Sequence, residues 1–362
     1  MTARNFSAVV LCVLMAAPAF ASLKEDLDAA AKVAPGDHSA WTRVRDRLVA
    51  QGKESLKELE AAAAADNWTA AGWTRALAAE VARLRIARPE LAQQVDNPKG
   101  INPEFYRITR LGKPFCRRDF GHMGAEAVPL MLERFRYTLD AKTFSEGEFG
   151  LLEREALATA LLQVPGQTGD TRARFAMLEV LRNPELPANW RQDAAVSYGQ
   201  TGGKAALNEL GAIIDDARQP LALREGAAWA LGRVAEKASV EAIKTRLNDA
   251  RITAGENGPA LVRALVNGAG ILGSSWGWKA RGESARAKAE EVRQGCARLL
   301  VDTMRKHPAE AEGITTALVT VVWRESPAWL NELARDEEAG ETARLAARKA
   351  AKAVQEALAN EK

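Results

Sequence analysis

Cysteine, histidine and tyrosine are scarce, with three of each in 362 residues. Two of the cysteines, Cys116 and Cys296, lie beyond the first twenty residues, too few for a disulfide framework. They are 180 residues apart, and in a linear array several repeats would separate them, so two separate thiols are expected. The histidines, His38, His122 and His307, form no spaced ligand cluster. His122 and Glu126 are four apart and could share a helix face, but zinc takes three or four protein ligands, so no metal is expected. A nucleophile elbow, a phosphate loop and an HExxH motif are also missing, which leaves no catalytic residue to nominate and no cofactor to expect. Net charge is only +3, against the profile of a dedicated nucleic-acid binder. Beyond Ala21 no stretch is apolar enough to span a membrane.

The start of the chain carries a different signal. Arg4 precedes an apolar run from Ala8 to Ala17, and Ala19-Phe20-Ala21 follows. A basic start, a short apolar core and an A-x-A ending describe a secretory signal peptide over residues 1–21, cleaved after Ala21. The expected location is periplasmic or secreted.

What remains is rich in helix formers. Alanine runs such as Ala61–Ala65 favour helix because alanine loses no side-chain entropy there. Four segments repeat one pattern: Arg154–Val164, Arg191–Gly202, Arg224–Val234 and Arg263–Gly273. Each opens on arginine and continues with small and apolar residues at helical spacing. The leading arginines are 37, 33 and 39 residues apart, which suits a unit of two helices and two turns. Partner helices are expected over Ala125–Phe135, Lys204–Ile214 and Val240–Leu247. In the first, Val128, Met131, Leu132 and Phe135 mark one buried face.

This pattern resembles the HEAT-repeat family, including its bacterial lyase-like branch, most clearly over residues 120–275. Pro129 takes the family's proline position, near the middle of the first helix. Asp216 and Asp249 take the aspartate of the turn, and Leu223-Arg224 and Val262-Arg263 take the Val-Arg that opens the second helix. Ala227 and Ala228 match its small residues. Inserts at Ala141–Gly150 and Thr253–Pro259 depart from it. The resemblance implies an all-α fold, an α-solenoid of antiparallel helix pairs whose second helices line an inner, binding face. It also implies that Arg154, Arg191, Arg224 and Arg263 form a ladder bonded to turn groups, mainly structural. An exposed basic row for an anionic partner is the other reading.

The organisation expected is a signal peptide (1–21), an N-terminal helical region with an irregular connection (22–120), a HEAT-like core (121–282) and C-terminal repeats with a cap (283–362). Asn267-Gly268-Ala269-Gly270 reads as close helix packing, not phosphate binding. Between helices lies the locally unusual stretch Gly273–Gly282, with Trp276, Trp278, Lys279 and Arg281. Aromatics beside cations are what interfaces and sugar-binding clefts use. The plainer reading folds both rings back over the end of the array. The function expected is a scaffold binding a protein or peptide through one solenoid face. Its rivals are an envelope-polysaccharide module using the Trp276–Arg281 loop and, more remotely, a lyase-like enzyme.

Overall fold

The computed structural model describes residues 21–97, 116–144, 148–274 and 284–360. Among the described residues are nineteen α-helices and no strand. The expected signal segment up to Phe20, and Trp276, Trp278, Lys279 and Arg281, lie outside the described residues.

Five helices come first: α1 (Leu23–Ala31), α2 (His38–Ala50), α3 (Leu56–Ala62), α4 (Trp73–Ala87) and α5 (Pro89–Asp96). Ser22 and Glu25 close the start of α1 reciprocally, each side chain accepting the other's backbone N–H. Helix α4 is the hub of this region and packs on α1, α2, α3 and α5. Four of its buried residues are alanines, Ala76, Ala78, Ala79 and Ala82, so neighbours approach it from several sides. The sequence leads one to expect amphipathic helices over Trp41–Gln51, Glu54–Ala65 and Trp68–Leu84, and α2, α3 and α4 fall there, with α4 starting five residues later than expected. Helices α1 and α5 do not figure in it, because each is short and shows too few apolar turns to display a period.

After α6 (Cys116–Met123) the helices pack in neighbouring pairs: α7 (Val128–Leu139) with α8 (Glu148–Thr168), α9 (Arg174–Arg182) with α10 (Ala188–Thr201), and α11 (Ala205–Asp215) with α12 (Leu221–Leu231). Next come α13 (Lys237–Leu247), the single turn α14 (Ala250–Thr253) and α15 (Gly258–Gly273), then α16 (Ser284–Lys306) with α17 (Ala311–Val321), and α18 (Ser326–Arg335) with α19 (Glu341–Asn360). The second helices also pack on one another in chain order, α8 on α10, α10 on α12, α12 on α15, α15 on α17 and α17 on α19. The four arginine-led segments fall in α8, α10, α12 and α15. Helix α9 is the one partner that the periodicity did not single out. Pro129 stands in the first turn of α7, where its missing N–H costs nothing, and not near the middle of the helix.

Contacts between second helices are close enough to require small residues. A Cβ at Gly232 would lie 2.1 Å from the carbonyl oxygen of Gly268, and one at Gly268 would lie 2.9 Å from that of Ala228. The glycines of Asn267–Gly270 therefore sit inside α15 at a helix–helix contact.

Candidate functional site

The leading arginines have sharply defined positions. Arg154 Nε donates to the Thr138 carbonyl at 2.7 Å, Arg191 Nε to that of Leu181 at 3.0 Å, and Arg224 Nε to that of Ile214 at 2.9 Å. Each acceptor is the penultimate residue of the first helix of the same pair. The last four carbonyls of a helix have no partner within it, and these guanidinium groups satisfy one of them. Arg191 and Arg224 are buried. Arg263 departs from the series: it is half exposed and pairs with Glu310 at 3.1 Å. The Leu247 carbonyl, which Arg263 would have met, instead lies 3.3 Å from His307 Nε2, and Lys306 Nζ reaches Asn248 at 2.6 Å.

A second recurrence involves the turns within pairs. Asp140, Asn183, Asp216, Asp249 and Asp336 each accept, through Oδ1, the backbone N–H two residues on. Arg218 and Arg251 fold back onto Asp216 and Asp249. These hydrogen bonds hold the Asp216 carboxyl down at about 2, and that of Asp249 below its ordinary range. The sequence reading had found only Asp216 and Asp249 of this series.

The N-terminal helices meet the first pair at a buried carboxylate. Glu133 of α7 accepts from Trp41 Nε1 at 3.0 Å and from Arg45 Nη1 at 3.2 Å on one oxygen, and from Arg85 Nη2 at 2.7 Å on the other. Arg85 also grips Asp96 with two bonds, at 2.8 and 3.0 Å. One carboxylate so joins α2, α4 and α7.

Beside this knot lies a cavity of about 330 Å³. Its walls are mostly apolar, with Pro35, Leu132, Phe135, Leu139, Val180 and Leu186 among them. Three charged side chains line it, Arg136 of α7 and Glu179 and Arg182 of α9, together with Trp73 of α4, and Arg182 is paired with Glu209. Arg136 is only 5% exposed. Its Nη2 donates to the carbonyls of Val33 and Ala34 at 3.0 and 3.2 Å, and its guanidinium lies 4.4 Å from the Trp41 ring centre. Trp73 Nε1 donates to one oxygen of Glu179 at 3.1 Å. Burial lowers the Arg136 pKa, and the nearby Glu179 and Glu133 charges oppose that shift. Burial against the apolar wall raises the Glu179 pKa, against the Trp73 hydrogen bond and the Arg136 charge. An apolar hollow with a few convergent polar groups of perturbed pKa is the usual form of a binding site.

Sequence reasoning missed this cavity, because Trp73, Arg136 and Glu179 come from helices far apart in the chain. One local signal was available: Arg136 stands four residues after Leu132 and seven after Pro129, on the buried face of its helix. At the end of α12 a further aromatic–cation contact is found, with the Arg233 guanidinium, just past the helix, 4.7 Å from the ring centre of half-buried Trp229.

The histidines have structural surroundings. His38 packs edge-on to Tyr137 with ring centres 4.8 Å apart, and Glu126, the expected companion of His122, is held by Arg88 at 2.7 Å. Among the described residues no group of three or more His, Cys, Asp or Glu could hold a metal ion. Cys296 is a free, buried thiol whose pKa burial pushes up. Among the described residues no helix is long and apolar enough to cross a membrane. Comparison with protein-family models finds no match, and none is found among the curated proteins.

Proposed function

We propose that this chain is an exported α-solenoid of HEAT-like helix pairs that binds a protein or peptide partner through one face and catalyses no reaction. The observation that carries it is one closure made three times over: an arginine at the start of a second helix bonds the end of its own first helix, in pairs whose second helices lie side by side. Units joined to their neighbours in this way extend a surface without enlarging a core, and such surfaces are used for binding. Export also fits the described start of α1. Cleavage after Ala21 would turn the Ser22 nitrogen into an ammonium already 2.8 Å from the Glu25 carboxylate. The leading arginines are structural in this reading, and the Trp276–Arg281 loop is a secondary contact.

The test is affinity capture from envelope extract with the chain from Ser22 onward. A protein recovered saturably, and retained by the Trp276→Ala/Trp278→Ala double variant, supports binding through the helical face. Recovery of polysaccharide alone, lost in the double variant, would replace this reading with a sugar-binding one.

A further inference from the structure

We infer that the cavity between α4, α7 and α9 receives one large apolar side chain of a bound peptide together with an adjoining neutral peptide group, whose carbonyl accepts from Arg136 and whose N–H donates to Glu179. This rests on the proposal that the partner is a protein or peptide.

Three observations converge. First, the cationic group is incompletely used. Arg136 Nη2 is committed to Val33 and Ala34, while Nε is buried and meets no acceptor among the described residues. A buried donor of this kind is seldom left without a partner, because water cannot freely serve it. Second, the opposite charge is present but not joined to it. Arg136 and Glu179 line the same cavity and influence each other's charge, yet they form no ion pair. Trp73 Nε1 holds one Glu179 oxygen in place, and the other receives no hydrogen bond among the described residues. Third, the space between them is apolar and small, about 330 Å³. That volume suits a single large side chain with its backbone and excludes a helix or a folded domain.

Arg182, on the same wall, is paired with Glu209, so Arg136 and Glu179 select the polarity of the guest. A carboxylate drawn to Arg136 would enter the field of Glu179, and an ammonium drawn to Glu179 would enter that of Arg136. A peptide group carries an acceptor at one end and a donor at the other with no net charge, so it gains from both. The apolar walls add the side chain.

The experiment titrates the purified full-length secreted form with four small probes: N-acetyl-L-leucinamide, N-acetylglycinamide, octanoate and hexylamine. Binding is followed by saturation-transfer NMR and by tryptophan fluorescence, to which Trp73 contributes. Arg136 also closes the Val33 and Ala34 carbonyls, so its removal endangers folding. Ala176→Phe, which fills the hollow from α9, and Glu179→Ala therefore carry the test, each with its melting temperature recorded. The leucinamide should bind about ten-fold more tightly than the glycinamide, as loss of a buried isobutyl group requires. Ala176→Phe should abolish that binding at an unchanged melting temperature. Glu179→Ala should weaken it about ten-fold, the usual effect of losing a hydrogen bond to a charged group. Octanoate or hexylamine binding as tightly as the leucinamide would overturn the proposal, as would leucinamide binding that survives Ala176→Phe. If the leucinamide does not bind while envelope capture persists in Ala176→Phe, the cavity is rejected and the partner-binding reading stands. If the unaltered chain captures no protein, that broader reading fails independently.

Discussion

Arg224 and Arg263 open equivalent helices and have opposite fates. Arg224 is buried on the Ile214 carbonyl, whereas Arg263 is half exposed beside Glu310. Arg224→Ala should lower unfolding free energy by about 1–3 kcal/mol, since the Ile214 carbonyl loses its guanidinium donor. Arg224→Lys should not restore it, because an ammonium lacks the fixed guanidinium fork. Arg263→Ala should stay within about half a kcal/mol. Urea unfolding of the three variants checks this, and equal losses at both positions would refute the distinction. Asp216 makes a pH-dependent contribution of known sign. Its carboxyl is held at about 2 in the folded chain, against an ordinary value of 3.8. The stability it adds is complete above 3.8 and is lost as pH falls towards 2. The melting-temperature gap between the parent chain and Asp216→Asn should therefore be constant above pH 5 and close on acidification. Cys296 gives a third outcome. As a buried thiol of raised pKa it should resist iodoacetamide at pH 8 and become reactive with global unfolding, as timed labelling followed by mass spectrometry would show.

At the scale of the element, small residues set helix spacing. Gly232→Ala would drive a methyl against the Gly268 carbonyl, and backbone cannot yield as a flexible side chain can. A loss of about 1–3 kcal/mol is expected in a thermal melt, from overpacking alone. Ala228→Arg should be still more damaging, because Ala228 is fully buried and its carbonyl faces Gly268. Unchanged melting of either variant would mean that α12 and α15 are not so closely apposed. These second helices were legible in the sequence, since arginine, alanine and glycine recur there at fixed intervals. Helix α9 was not. Its buried set is Ala176, Met177, Val180 and Leu181, and Phe175 and Leu178 lie only partly buried beside it, which blurs the period. Arg263 shows the limit of pattern: it stands in α15, which packs on α12, but the Leu247 carbonyl lies against His307 and not against it.

For the whole molecule, circular dichroism should be helix-dominated, and a strand content above about one fifth would contradict the fold. If the pairs form a solenoid, small-angle scattering should give a radius of gyration above about 20 Å, the value for a compact globule of this length. The class of fold was readable because helical period and repeat length are local properties. The cavity was not, because it exists only where α4 is laid against α7 and α9. The exchange of Arg263 for His307 bears, finally, on the order in which the chain can take shape during synthesis. Helices α9 and α11 are closed by arginines ten residues downstream, so each can complete its turn almost as soon as it is made. Helix α13 ends on a carbonyl whose donor is sixty residues further on. A ribosome adding about 5–20 residues per second leaves that end bare for several seconds. Nascent chains arrested shortly after Gly273 should therefore be cut by protease between α13 and α15, while those arrested beyond Pro308 are protected there.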